Sequence, residues 1–171
     1  MHIAFNAYAL YYLGRQIETL YGSLRFGLIF LLTGFSGSVA SLLLNRFPSV
    51  GASGAIFGLI GAEAVFLYQN RRVLGERGRR ALQNVAFIVL LNLMIGLRGG
   101  IDNWAHLGGL VGGLALGWLI GPVWALSAVP SLGGQPTLED EHLLTGVRWL
   151  AVLTFMLGLA ALTGFAVALQ R

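Results

Sequence analysis

The chain contains no cysteine and no lysine, only two aspartates and three histidines, and charged residues make up just 11% of its 171 positions. Without cysteine there are no disulfides, no thiolate metal site and no cysteine nucleophile. The histidines are His2, His106 and His142, and no His-Glu-x-x-His pair occurs, so a zinc protease lacks its ligands. No metal and no other cofactor is expected. Asp102 and Asp140 both fall outside the apolar runs, which excludes an intramembrane aspartyl pair. Of the common hydrolytic nucleophiles, serine remains.

The low charge also sets the class. A soluble domain carries about a quarter of its residues as charges, whereas this chain is 56% hydrophobic with a mean hydropathy of +0.75. It is read as an integral membrane protein. The net charge of +4 is carried by arginine alone, and no basic stretch is interleaved with aromatics, so no nucleic-acid partner is expected. His2 follows Met1 directly with no basic leader before the first apolar run, so no cleavable signal is expected.

Six apolar runs approach the roughly 20 residues that cross a bilayer: 2–20, 24–44, 53–69, 80–97, 103–120 and 144–169. Lipid forces each backbone to satisfy itself, so the expected fold is all-α, a polytopic transmembrane helix bundle of about six spans. Arg15 and Arg25 flank the first link, and Arg71, Arg72, Arg77, Arg79 and Arg80 are assigned to the third. The opposite side has Arg46, Arg98 and Arg171. The positive-inside rule makes the arginine-rich side cytoplasmic. Residues 123–143, with Pro130, Gly133, Gly134, Pro136 and then Glu139, Asp140 and Glu141, read as a turn-rich acidic cytoplasmic linker, and 144–171 as an additional C-terminal membrane helix. Trp104, Trp118, Trp124 and Trp149 fall near span ends, as an aromatic belt would place them.

Two Gly-x-Ser-Gly tetrapeptides occur, Gly34-Phe35-Ser36-Gly37 and Gly51-Ala52-Ser53-Gly54. Ser36 sits in mid-span with no turn to expose it, and reads as a packing serine. Ser53 lies where a short loop after Pro48 gives way to a helix, at the outer depth shared by His2, Asn6 and His106. His2 and Asn6 lie four apart on one helical face, either as donors aimed into a cavity or as polar contacts between helices. His106 opens a small-residue face continued by Gly109, Gly113 and Gly117, and the third span carries Gly54, Gly58 and Ala62. Packing these faces together brings His106 beside Ser53, and a serine hydroxyl needs such a base. Phe57, one turn below Ser53, either walls the imidazole or simply packs. Glu63 is about 15 Å of helix away from Ser53, too far to be its acid, and either snorkels inward or pairs with a neighbouring span.

Three of these stretches together resemble the rhomboid family of intramembrane serine proteases. They are His2-Ile3-Ala4-Phe5-Asn6, Gly51-Ala52-Ser53-Gly54, and Ala105-His106 followed by Gly109 and Gly113. The resemblance covers residues 1–122, read as a rhomboid-like core that lacks the family's first helix, since the His-x-x-x-Asn motif begins at residue 2. It implies a Ser53–His106 dyad. It also implies an oxyanion hole formed by His2, Asn6 and the Ser53 amide, with Gly51 keeping the preceding loop open. The implied partners are single-pass transmembrane protein substrates and the lipid bilayer itself. The expected location is the bacterial cytoplasmic membrane with the site toward the outer face. The alternative function is a catalytically impaired rhomboid-like protein that binds transmembrane helices.

Overall fold

The structure is a computed structural model that describes residues 2–45, 49, 51–97, 100–127 and 137–169, with the backbone alone for His2 and Ile3. Of the residues named from the sequence, Met1, Arg46, Pro48, Arg98, Pro130, Gly133, Gly134, Pro136 and Arg171 lie outside the described residues. Six helices run in chain order: α1 His2–Tyr21, α2 Ser23–Leu44, α3 Ala52–Gln69, α4 Arg71–Gly96, α5 Asn103–Ile120 and α6 Gly146–Leu169. Five of them follow the predicted apolar runs to within two residues, α4 begins nine residues early, and the chain is a helical membrane bundle. By length and composition alone, α2, α3 and α6 are long and apolar enough to cross a membrane. The other three carry more polar side chains, among them Asn6, Asn92 and His106, which face a shared cavity.

α3 is the centre of the bundle. Its residues from Gly54 to Gly61 are all buried, and it packs against α5, α2, α4 and α1. Glycine permits this crowding. A methyl group added at Gly109 would lie 1.9 Å from the carbonyl oxygen of Gly54, and one at Gly113 would lie 1.9 Å from that of Gly58. One at Gly117 would sit 2.9 Å from the Cα of Ala62. The α3 and α5 backbones therefore touch along the small-residue faces expected from the sequence, as small-x-x-x-small pairs do in lipid. α2 joins the same seam: Ser36 donates from Oγ to the Gly108 carbonyl at 2.8 Å, a packing role for the serine of the other tetrapeptide. The apolar core fills the half of the bundle away from Ser53, with Ile17, Tyr21, Ile29, Leu59, Phe66, Leu116 and Ile120 among its members.

Two features depart from the sequence reading. Hydropathy assigns the arginines from Arg71 to Arg80 to a link, yet they lie on α4, which begins at Arg71. Arginine is a good helix former, so hydropathy ends before the helix does. Although α4 counts 26 residues, it is kinked at Gly75, and only the stretch from Glu76 to Gly96 runs as one helix, about 31 Å long. Gly75 has φ 56° and ψ −140°, a conformation open essentially to glycine.

The second departure is in the 123–143 stretch. Residues Trp124–Ser127 (β1) pair antiparallel with Thr137–Asp140 (β2), Trp124 opposite Asp140 and Ser127 opposite Thr137. This hairpin is fastened to the bundle. Buried Arg25 pairs with Asp140 at 2.7 Å and also donates to the His142 carbonyl, while Asp140 accepts from the Val123 and His142 amides at 3.1 and 2.8 Å. Buried Asn70 donates to the Pro122 carbonyl at 3.0 Å and accepts from the Trp124 amide at 2.7 Å. Trp124 thus belongs to no aromatic belt; its ring meets Phe66 edge-on at 5.0 Å. Trp104 and Trp118 are exposed near the two ends of α5.

Candidate active site

The site forms at the ends of α1, α3 and α5. Gly51, in extended backbone, is the N-cap of α3, and Ser53 is the second residue of that helix. The first four N–H groups of a helix have no partner within it, so the turn carrying the hydroxyl also offers free amides. Gly51 itself is exposed. A methyl group added to it would lie 3.9 Å from the Ser53 Oγ, an ordinary van der Waals contact.

α5 starts with Asp102 as its N-cap, the carboxylate accepting from the Trp104 and Ala105 amides, both at 3.1 Å. His106 lies one turn into that helix and is buried. The contact that sets its distance from Ser53 is made by their neighbours: a methyl at Gly54 would lie 3.3 Å from the Ala105 carbonyl oxygen. The imidazole stacks on Phe57, with ring centroids 4.1 Å apart and planes 10° from parallel. Phe57 therefore both packs and walls the imidazole.

Asn6, Ser53, Phe57 and His106 line one cavity of about 560 Å³. His2 is the first residue of α1, and its side chain lies outside the described residues. Gly54, Gly58, Gly109, Gly113 and Gly117 are the close-contact positions that hold α3 and α5 together beneath the cavity. Apolar side chains from α1 and α4, including Phe5, Leu13, Ile88 and Ile95, complete its walls. α1 and α4 each pack on α3, their backbones do not approach one another closely among the described residues, and the cavity lies between them.

Asp102 has a role that sequence reasoning missed. Besides capping α5, its other oxygen accepts from the hydroxyls of Ser41 on α2 and Ser49 in the loop before Ser53, the latter at 2.7 Å. The Ser49 amide in turn donates to the Ser41 Oγ at 2.8 Å. One carboxylate thus ties the helix bearing His106 to the loop leading to Ser53. Burial raises its pKa, but the hydrogen bonds from Ser41, Ser49, Ala105 and Asn45 outweigh that and hold it below the usual carboxylate value. The only local signal was an Asp directly before a helical run, the N-cap pattern. Its partners lie more than 50 residues upstream.

Glu63 has a partner of its own. It faces the inner part of the same cavity, and its Oε1 accepts from Gln16 Nε2 of α1 at 2.7 Å. It pairs with a neighbouring helix rather than snorkelling.

A polytopic helix bundle with a serine and a histidine facing one intramembrane cavity defines a class of membrane-embedded proteins with hydrolase-type side chains at a helix start. Comparison with known proteins gives the family. The Rhomboid domain model matches residues 1–123, and the chain belongs to the rhomboid family. It is 44% identical over 113 residues to rhomboid protease GluP of Bacillus subtilis, covering 66% of this chain and 22% of that protein. To RHOMBOID-like protein 1 of Arabidopsis thaliana it is 40% identical over 119 residues, 69% of this chain and 30% of that one. To the mitochondrial RHOMBOID-like protein 6 of the same plant it is 40% identical over 121 residues, 70% and 39% of the two chains. The chain thus spans between about a fifth and two fifths of the length of these curated relatives.

Proposed function

We propose that this chain is an intramembrane serine endopeptidase that cleaves transmembrane proteins through a Ser53–His106 dyad. The observation that carries the reading is the shared cavity: Ser53, His106 and Asn6, from three helices, face one space of about 560 Å³. Hydrolase chemistry follows from those side chains. His106 takes the Ser53 proton as Oγ bonds to the scissile carbonyl carbon. The resulting oxyanion is held by the Asn6 amide, the Ser53 N–H and His2, each donor worth on the order of 3 kcal/mol. Collapse breaks the C–N bond, and His106 passes its proton to the departing amine. A water molecule, deprotonated by the same imidazole, then splits the acyl-enzyme and restores both groups.

The Phe57 ring stacked against His106 holds the plane of the base. The substrate is a single-pass membrane segment that enters from the bilayer between α1 and α4. The proposed setting is the bacterial cytoplasmic membrane with the site toward the outer face, and the proposed organisation is a catalytic portion at 1–122 followed by the connector at 123–143 and the C-terminal helix at 144–171.

The test is fluorophosphonate labelling of the reconstituted chain alongside cleavage of a labelled transmembrane substrate. Wild type should label and cleave, and Ser53→Ala and His106→Ala should do neither. Labelling that persists in Ser53→Ala overturns the assignment. A wild type that binds the substrate but neither labels nor cleaves it would instead establish the helix-binding alternative.

A further inference from the structure

The cavity has a second polar tier that the proposed chemistry leaves unused. On α3, Ser53 and Glu63 are ten residues apart; on α1, Asn6 and Gln16 are ten residues apart. Both helices run away from the site in the same direction, since Asn6 and Ser53 line one part of the cavity and Gln16 bonds Glu63 ten residues further along each helix. The pair Gln16–Glu63 therefore lies about 15 Å deeper than the pair Asn6–Ser53. Between the two tiers the α3 wall is apolar, formed by Ile56, Phe57 and Ile60.

A carboxyl group at this depth is costly to keep in hydrocarbon. Gln16 takes up one of its oxygens, and no other hydrogen bond to Glu63 forms among the described residues. The second oxygen is thus an acceptor presented to a cavity whose α1 and α3 lining between the two tiers is apolar apart from Tyr12. Gln16 fixes the side chain in that orientation, so the acceptor is preorganised.

We propose that Glu63, held by Gln16, is a recognition subsite for a hydrogen-bond-donating side chain within the substrate's membrane segment. This rests on the protease reading and names a substrate class within it. A segment cut at Ser53 and continuing inward as a helix beside α1 and α3 passes Glu63 about ten residues beyond the scissile bond. Segments with Gln, Asn, Ser or Thr at that offset are preferred over wholly apolar ones, because only they satisfy the buried acceptor.

The test uses the full chain in liposomes and two single-span peptides with the same sequence around the scissile bond. They differ at one residue ten positions to its C-terminal side, Leu in one and Gln in the other. Wild type should favour the Gln peptide by about five- to tenfold in kcat/KM, and Ser53→Ala should favour it equally in Kd. Moving the Gln along the peptide should give a maximum near that offset. Glu63→Leu should erase the preference. Equal handling of the two peptides by wild type, a preference indifferent to offset, or one that survives Glu63→Leu overturns the subsite. If neither peptide is cleaved, the protease reading fails, while the Kd ratio for the two peptides still decides the subsite.

Discussion

The rings of Phe57 and His106 lie face to face, 4.1 Å apart and 10° from parallel. Such a pair contributes about 0.5–1.5 kcal/mol beyond the area it buries, and here it restricts the imidazole to one plane. In the proposed dyad this face steers the base.

Phe57→Ala should therefore lower kcat by more than about tenfold with little change in KM or in thermal unfolding beyond the loss of one buried ring. Phe57→Tyr, which keeps the flat face, should retain most of the turnover. The comparison is read from steady-state cleavage in liposomes, and equal turnover of Ala and Tyr variants would remove the positioning role.

Gly113→Ala should destabilise the bundle, because its methyl meets the Gly58 carbonyl oxygen at 1.9 Å and the helices must part. Overpacking of this kind costs about 1–3 kcal/mol, more than the roughly 1 kcal/mol gained in helix propensity. Gly164→Ala on α6 meets nothing within 4 Å and should be neutral or stabilising. Thermal unfolding in detergent separates the two, and serine-probe labelling should fall in the first variant only.

Asp102→Ala should uncap α5 and release the Ser49 segment together, a loss of about 1–2 kcal/mol from the cap alone. The pH dependence has a defined sign. Because the folded-state pKa of Asp102 is depressed, its contribution is fully present above the carboxylate range of the unfolded chain and is lost as pH falls through the folded value. Asp140 behaves the same way: burial raises its pKa, but Arg25 and the His142 and Val123 amides bring it down. Wild type should lose stability on acidification below about pH 4, and the Asp102→Ala, Asp140→Asn double variant should show a flatter acid limb.

The absence of native cysteine makes topology straightforward to test. Glu76→Cys, in the basic turns of α4, should react with an impermeant maleimide only after permeabilisation. Ala52→Cys, exposed at the start of α3, should react in intact cells. The reverse pattern would invert the orientation.

The helices were legible because hydropathy reports lipid and core alike; α3 and α5 differ from their predicted runs by at most one residue. The α3–α5 contact was legible too, since glycines at helical spacing have few uses in a membrane other than close approach. What escaped was polar and long-range. Asp102 looked like a loop acid until Ser41 and Ser49 came to it across 61 and 53 residues, and Glu63 had no assigned partner until Gln16 reached it across 47. The hairpin escaped because strands of four residues are too short to carry a periodicity of their own. The start of α4 escaped because arginine ends a hydropathy run without ending a helix.

Arg25 and Asp140 are separated by 115 residues, so the Arg25 guanidinium awaits this partner while the next four elements are made. The ion pair closes only once the connector has emerged and folded back, shortly before α6 follows. The glycine seam can close as soon as α5 has emerged, whereas the ion pair waits for the connector that follows it.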